Sequence, residues 1–232
     1  MTNTYLFDVD GTLTPARQKM TDQFYSFFSE WIRDKKVYFI SGSDYEKLQE
    51  QVPKDILESV TGVFGCAGNT LHVNGESVFS NFWELPQRLI DVLEQELRIS
   101  PYPQAYGNHI EERVGMINFS VVGRNAILDE RKRYYTWDRR AGERRRIVER
   151  IKDEFDDIAA VLGGEISIDI YPAGWDKSQV LKTIPAGTYT FFGDRTDPGG
   201  NDFALAKILI DTGHTVYNVS SYEETWKILR EF

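Results

Sequence analysis

The chain has 232 residues, 41% of them hydrophobic and 13% aromatic, enough to bury a sizeable core in one large domain or two smaller ones. Lys and Arg number 27 against 36 Asp and Glu, a formal charge of −9, which argues against a general nucleic-acid binder. Cys66 is the only cysteine, which excludes an internal disulfide and suits a reducing compartment. The opening MTNTYLFDVDG has no basic stretch followed by a long apolar one. No later apolar run nears the roughly 20 residues that a spanning helix needs, so the expectation is a cytoplasmic protein without a membrane partner.

Tyr5-Leu6-Phe7 reads as the end of a buried strand and runs into DVDGTLT, Asp8 to Thr14. Side chains alternate along a strand, so Asp8 and Asp10 share a face if the extended segment continues. Past the strand end, the turn at Gly11 can bring both acids to one point. Acids crowded there suit a hard, oxygen-ligated cation such as Mg²⁺. They also suit a carboxylate nucleophile beside a general acid/base, whereas a bare pair of acids is often only a solvated turn. Thr21 to Lys35 carries apolar residues at Phe24, Phe27, Phe28, Trp31 and Ile32, which is helical spacing. Val37 to Ile40 reads as a strand ending in Ser41-Gly42-Ser43-Asp44, and Tyr45 to Gln51 as a helix. Val60 to Phe64 reads as a third strand, with a hairpin around Asn74-Gly75. This βαβα alternation predicts a parallel sheet covered by helices.

The pattern then changes. Phe82 to Arg98 has the spacing of an amphipathic helix, and Ile110 to Glu112, Met116 to Val122 and Ile166 to Tyr171 have strand character around a basic, helix-like segment from Asp129 to Val161. This predicts an α+β module inserted over residues 82–174 of an α/β core made of 1–81 and 175–232. After Lys177, Thr188 to Phe192 reads as a strand leading into Gly193-Asp194, Asn201 to Asp211 as a helix, Thr215 to Val219 as a last strand and Glu223 to Leu229 as a closing helix.

In open α/β sheets, ligands collect at the carboxyl ends of the strands. Asp8 and Asp10 follow the first strand, Ser41 and Ser43 the second, and Asp194 a late one. Lys177 and Asp202 open the helical segments nearby. Acids to hold Mg²⁺, a lysine to neutralise phosphoryl oxygens and a serine to donate a hydrogen bond together make a phosphate site with its metal.

These four motifs, DVDGTLT, SGS, the lone Lys177 and GDRTDPGGND, resemble those of the haloacid-dehalogenase-like phosphotransferases. LFDVDGTLTPAR, SGSDYEKLQEQ, EERVGMINFSVVGR, GGEISIDIYPAGWDK and FFGDRTDPGGND resemble, in order and spacing, eukaryotic-type phosphomannomutases across nearly the whole chain. The resemblance implies a Rossmann-like haloacid-dehalogenase core with an inserted α+β cap that sets substrate specificity, and two partners follow as expectations: a hexose phosphate and a second copy bound through the cap. Asp8 is then the nucleophile and a metal ligand, and Asp10 the general acid/base, with its backbone carbonyl also on Mg²⁺. Asp194 completes the metal site, and Asp202 supports its loop. Ser41 or Ser43 and Lys177 hold the transferring phosphoryl group. Arg113, Arg124 and Arg131 match arginines for the distal phosphate, Arg17 a substrate contact, and Ser167 and Asp169 the sugar-hydroxyl contacts. Residues 108–150 hold eleven Lys or Arg against seven Asp or Glu, a local excess of +4 in an acidic chain, which suits an anionic ligand.

The implied activity is exchange of mannose 6-phosphate and mannose 1-phosphate through an aspartyl-phosphate, with Mg²⁺ and a hexose 1,6-bisphosphate activator. A sugar-phosphate phosphatase and a non-enzymatic sugar-phosphate sensor are the rivals. The chain departs from the family at Gly65-Cys66-Ala67-Gly68, where Pro-Glu-Asn-Gly is usual, and at Ala204 to Asp211, where a second cation loop is not evident. Among the remaining residues, Arg139, Arg140 and Arg144 to Arg146 read as a solvated helix face, His72, His109 and His214 show no metal spacing, and Cys66 reads as a buried filler.

Overall fold

The structure, a computed structural model, describes residues 3–232. Its contacts divide the chain into two compact units, Met1–Asn81 with Trp175–Phe232 and, between them, Phe82–Gly174.

The first unit opens with β1 (Asn3–Phe7), α1 (Asp22–Trp31), β2 (Lys36–Ile40), α2 (Tyr45–Gln51), α3 (Lys54–Ser59), β3 (Gly62–Gly65), β4 (Thr70–Val73) and β5 (Glu76–Ser80). The caps explain where the helices begin. Thr21 accepts a hydrogen bond from the Phe24 amide at the start of α1, and Asp44 from the Lys47 amide at the start of α2. Helix α3 is invisible to periodicity because six residues make less than two turns.

The second unit contains α4 (Gln87–Ile99), β6 (Ile110–Arg113), β7 (Met116–Phe119), α5 (Leu128–Ala141), α6 (Glu143–Glu154), β8 (Ile158–Leu162) and β9 (Ile168–Pro172). Two expectations are corrected here. Helix α4 starts at Gln87, not Phe82, because Pro86 disfavours helical backbone in the residue before it. The basic segment is two helices and a strand: Gly142, at φ +69°, ends α5 and lets the chain restart as α6, and Ile158 to Leu162 then extends into the sheet. The chain returns to the first unit with β10 (Thr188–Gly193), α7 (Phe203–Asp211), β11 (Thr215–Asn218) and α8 (Tyr222–Leu229).

The larger sheet has the order β11-β10-β1-β2-β3-β4-β5. Its first five strands are parallel, and β4 and β5 turn back as an antiparallel edge. Both faces are covered, so β1 is apolar at every position from Tyr5 to Phe7. Tyr5 and Phe7 pack with Phe24, Phe28 and Trp31 of α1 and Leu229 of α8. Leu6 faces the opposite cluster with Leu205 and Leu209 of α7. The chain leaves β1 towards β2 on one side and reaches β10 on the other, so the carboxyl end of β1 is the topological switch point.

The smaller sheet, β6-β7-β9-β8, is antiparallel. Ile117, Phe119, Ile168, Ile170 and Ala160 line one face and pack with Leu89, Leu93, Tyr134, Ile147 and Ile151 of its helices. Glu111, Asn118 and Asp169 stand in register across the opposite face. Opposite pleats thus separate a helix-bearing apolar side from a polar one.

Candidate active site

Asp8 follows β1 directly, and its amide donates to the Phe192 carbonyl of the neighbouring β10 (2.9 Å). That bond carries the parallel ladder one residue past the strand and buries the carboxylate, which is 4% exposed. Lys177 begins a short 3₁₀ segment, Lys177–Lys182, and its side chain is 1% exposed. Its Nζ donates to Asp8 Oδ1 at 2.5 Å and to Asp202 Oδ1 at 2.6 Å. Burial alone lowers a lysine, but the Asp202 and Asp8 carboxylates outweigh it and hold this ammonium above its ordinary range. Thr12 Oγ1 approaches Asp8 Oδ2 at 3.5 Å.

Asp194 stands just past β10, and its carboxylate lies over the Gly11 turn. Gly11 has φ +84°, and a Cβ there would sit 2.7 Å from Asp194 Oδ2, so glycine is required both for the turn and for the approach. Asp202 is buried at the start of α7 and closes its own loop. Its Oδ2 accepts from the Arg195 amide (3.2 Å), and its amide donates to the Arg195 carbonyl (3.2 Å). Gly200 lies so close to that carbonyl that a Cβ would be 2.1 Å from it.

Asp8, Asp194 and Asp202 each offer an oxygen, and these oxygens lie within 4.8 Å of one another. Burial raises Asp194 to about 7, with Asp202 adding to the shift. Burial likewise pushes Asp8 well above the ordinary range; Lys177 opposes this, and Asp202 and Asp194 add to it. Three acids around one ammonium leave negative charge that a hard divalent cation on oxygen ligands would neutralise, so the donor set fits Mg²⁺.

Asp10 is oriented differently. Its Oδ1 accepts from the Arg17 amide (2.8 Å) and from Gln51 Nε2 (2.7 Å), and Arg17 adopts φ +58° to make that bond. Ser41 and Ser43 follow β2, beside β1. Ser41 is buried, and its Oγ accepts from the Ser43 amide (3.0 Å). The Gly65-Cys66-Ala67-Gly68 segment folds back onto both serines, with the Cys66 amide on the Ser43 carbonyl and the Ala67 amide on that of Ser41. Gln179 Nε2 holds the Ala67 carbonyl at 2.9 Å. Cys66 is buried, as its reading as a filler expects.

The second unit gathers the other predicted residues around its polar sheet face. Glu111 pairs with both Arg113 and Arg124. Burial alone raises its carboxyl, but the two guanidinium groups outweigh that and hold it below the ordinary range. Arg131 donates from Nε to the Ala126 carbonyl and from Nη2 to that of Arg124, both at 2.6 Å. Nη1 of Arg124 and Nη1 of Arg131 are buried without a hydrogen-bond partner. Asp169 Oδ1 accepts from Asn118 Nδ2 (2.6 Å), and a Cβ on Gly163 would lie 2.7 Å from Ser167 Oγ. Ser167 and Asp169 are both buried.

One reading is corrected: Arg144 is not on a solvated face. It is 3% exposed, pairs with Asp138 (2.7 Å), and donates to the Gly164 and Ser167 carbonyls. The Gly142 break rotates the start of α6 and turns this side chain inward. Arg146 pairs with the buried Glu96. Sequence reasoning also misses Gln51, Glu111 and Asn118. All three sit in quoted motifs, but only tertiary contacts reveal what they touch.

A family model described as eukaryotic phosphomannomutase matches residues 24–232. Curated relatives include the phosphomannomutase of Saccharomyces cerevisiae, 34% identical with 97% of this chain and 92% of its own length covered. They also include human phosphomannomutase 1, 35% identical with 91% and 86% covered. Among solved structures, a Plasmodium falciparum IMP-nucleotidase has a TM-score of 0.65 at 17% identity, over 99% of this chain and 66% of that one. The trehalose-6-phosphate phosphatase C-terminal domain of C. albicans has a TM-score of 0.60 at 18% identity, over 95% and 80%. These structures share the fold, a Rossmann-like haloacid-dehalogenase core. The matches in sequence, spanning both units, establish that the chain belongs to the eukaryotic phosphomannomutase family.

Proposed function

We propose that this chain interconverts mannose 6-phosphate and mannose 1-phosphate through a phosphorylated Asp8. The observation that carries the reading is the buried Lys177–Asp8–Asp202 triad, with Asp194 beside it and Asp10 two residues beyond the nucleophile. A carboxylate serves as a phosphoryl acceptor when cations offset the charge of the incoming group. Lys177 supplies one such charge, with its Nζ already on Asp8 Oδ1. Mg²⁺, held by Asp8, Asp194 and the backbone carbonyl of Asp10, would supply Lewis-acid neutralisation of phosphoryl oxygens. Asp202 supports that loop, and Ser41 or Ser43 donates to the same phosphoryl group.

Asp10 gives a proton to the sugar oxygen as its P–O bond breaks and Asp8 takes the phosphoryl group. On return it takes the proton of the attacking hydroxyl. A hexose 1,6-bisphosphate is the intermediate between the two half-reactions and the activator that charges the enzyme. Arg113, Arg124 and Arg131 hold the phosphate that is not reacting. The buried, unpartnered Nη1 atoms of Arg124 and Arg131 support this, since such donors call for an anion. Ser167 and Asp169 take the sugar hydroxyls, and Arg17 contacts the substrate from the core. Residues 82–174 act as the specificity cap on a core of 1–81 and 175–232. Homodimerisation through that cap and a cytoplasmic location belong to the same reading. Among the described residues, no helix is long and apolar enough to cross a membrane.

The test supplies mannose 1-phosphate and Mg²⁺ with and without glucose 1,6-bisphosphate, and scores mannose 6-phosphate and inorganic phosphate together. Bisphosphate-dependent isomer with little free phosphate is expected. Rapid phosphate release without isomer would overturn the mutase in favour of a phosphatase.

A further inference from the structure

We propose that Gln51 is a positioning residue for Asp10: it fixes which carboxylate oxygen accepts fixed hydrogen bonds, and thereby which one exchanges a proton with the sugar. The inference deepens the proposed function and rests on it. Gln51 is the last residue of α2 and is 3% exposed. Its Nε2 donates to Asp10 Oδ1 at 2.7 Å, and the Arg17 amide donates to the same oxygen at 2.8 Å. The Gln51 carbonyl accepts from the Met20 amide (2.8 Å), so α2 staples both ends of the loop that carries the acid/base residue.

The amide can face an ionised Asp10 in only one sense. Turned over, its oxygen would meet the carboxylate oxygen as acceptor against acceptor. In the sense adopted, Gln51 Oε1 is buried without a hydrogen-bond partner. A buried amide oxygen without a donor is costly, and such costs recur where a side chain is held for function. Two donors on Oδ1 commit that atom as an acceptor. The proton that Asp10 delivers is therefore carried on Oδ2. In the forward step that proton passes from Oδ2 to the sugar oxygen, the P–O bond to the sugar breaks, and the new P–O bond forms on Asp8. In the return step Oδ2 takes the proton from the hydroxyl that attacks phosphorus. Without Gln51, one of the two restraints on the carboxylate plane is lost, and a proton donor rotated out of line transfers poorly.

The experiment compares two phosphoryl donors in single-turnover phosphorylation of Asp8, using wild type, Gln51→Glu and Gln51→Met. Glucose 1,6-bisphosphate releases a sugar oxygen that must be protonated. Acetyl phosphate releases acetate, which leaves as an anion and needs no proton. Both variants should phosphorylate about 10- to 100-fold more slowly from the bisphosphate, and within about 3-fold of wild type from acetyl phosphate. A parallel fall with both donors would show a merely structural role and overturn the proposal, as would no fall with either. A wild type that accepts phosphate from acetyl phosphate yet never isomerises mannose phosphates would defeat the functional reading itself, a separate result.

Discussion

At the scale of single residues, charge balance around Asp8 decides both stability and chemistry. Lys177 is the ammonium bonded to two buried carboxylates, and its removal leaves both without that partner. Lys177→Met should therefore cost about 3–5 kcal/mol, read as a lowered urea midpoint, as well as turnover. Asp194 gives a pH signature. Its pKa is about 7 in the folded chain against an ordinary 3.8, so its contribution to stability is complete below the ordinary value and is lost as pH rises through about 7. Raised Asp8 acts in the same direction. In chelator-treated protein the thermal midpoint should fall over that window, and the stabilisation gained on adding Mg²⁺ should grow with pH. A Mg²⁺ shift independent of pH from about 5 to 8 would contradict the assignment of these acids to a cation.

At the scale of elements, what could be read from the sequence depended on whether a residue's role was local. The places of Asp8, Ser41 and Asp194 were legible because each stands just past a strand that its apolar run announces, and a strand end is a place as well as a pattern. Gln51 was not, because only the folded chain brings the end of α2 to Asp10, forty-one residues away. Strand β8 was hidden by the basic helices before it, and Arg144 was misread because a run of arginines carries no phase until the Gly142 break is known. That break is itself testable. Gly142 has φ +69° with open space around its missing Cβ, so Gly142→Ala meets backbone strain and no clash. It should cost about 1 kcal/mol, seen as a lower urea midpoint with little change in turnover. A midpoint at or above the wild-type value would show that the α5–α6 joint tolerates another backbone.

At the scale of the whole molecule, the second unit is contiguous and has its own apolar cluster around Ile117, Phe119, Tyr134 and Ile170. Expressed alone, Phe82–Gly174 should unfold in one cooperative transition by circular dichroism. A featureless, non-cooperative trace would mean that its order depends on the rest of the chain. The first unit has no such independence. Strand β1 is flanked by β2, thirty-odd residues downstream, and by β10, which begins at Thr188. During synthesis Asp8 emerges well before Lys177, Asp194 and Asp202, which follow the whole inserted unit. Until then β1 keeps an unpaired edge of Tyr5, Leu6 and Phe7, and Asp8 has no lysine beside it. A nascent or truncated chain ending before β10 thus lacks Asp194 and Asp202 and is open to strand pairing with its neighbours, and the Asp8 carboxylate gains its full set of charged neighbours only once the sheet is closed.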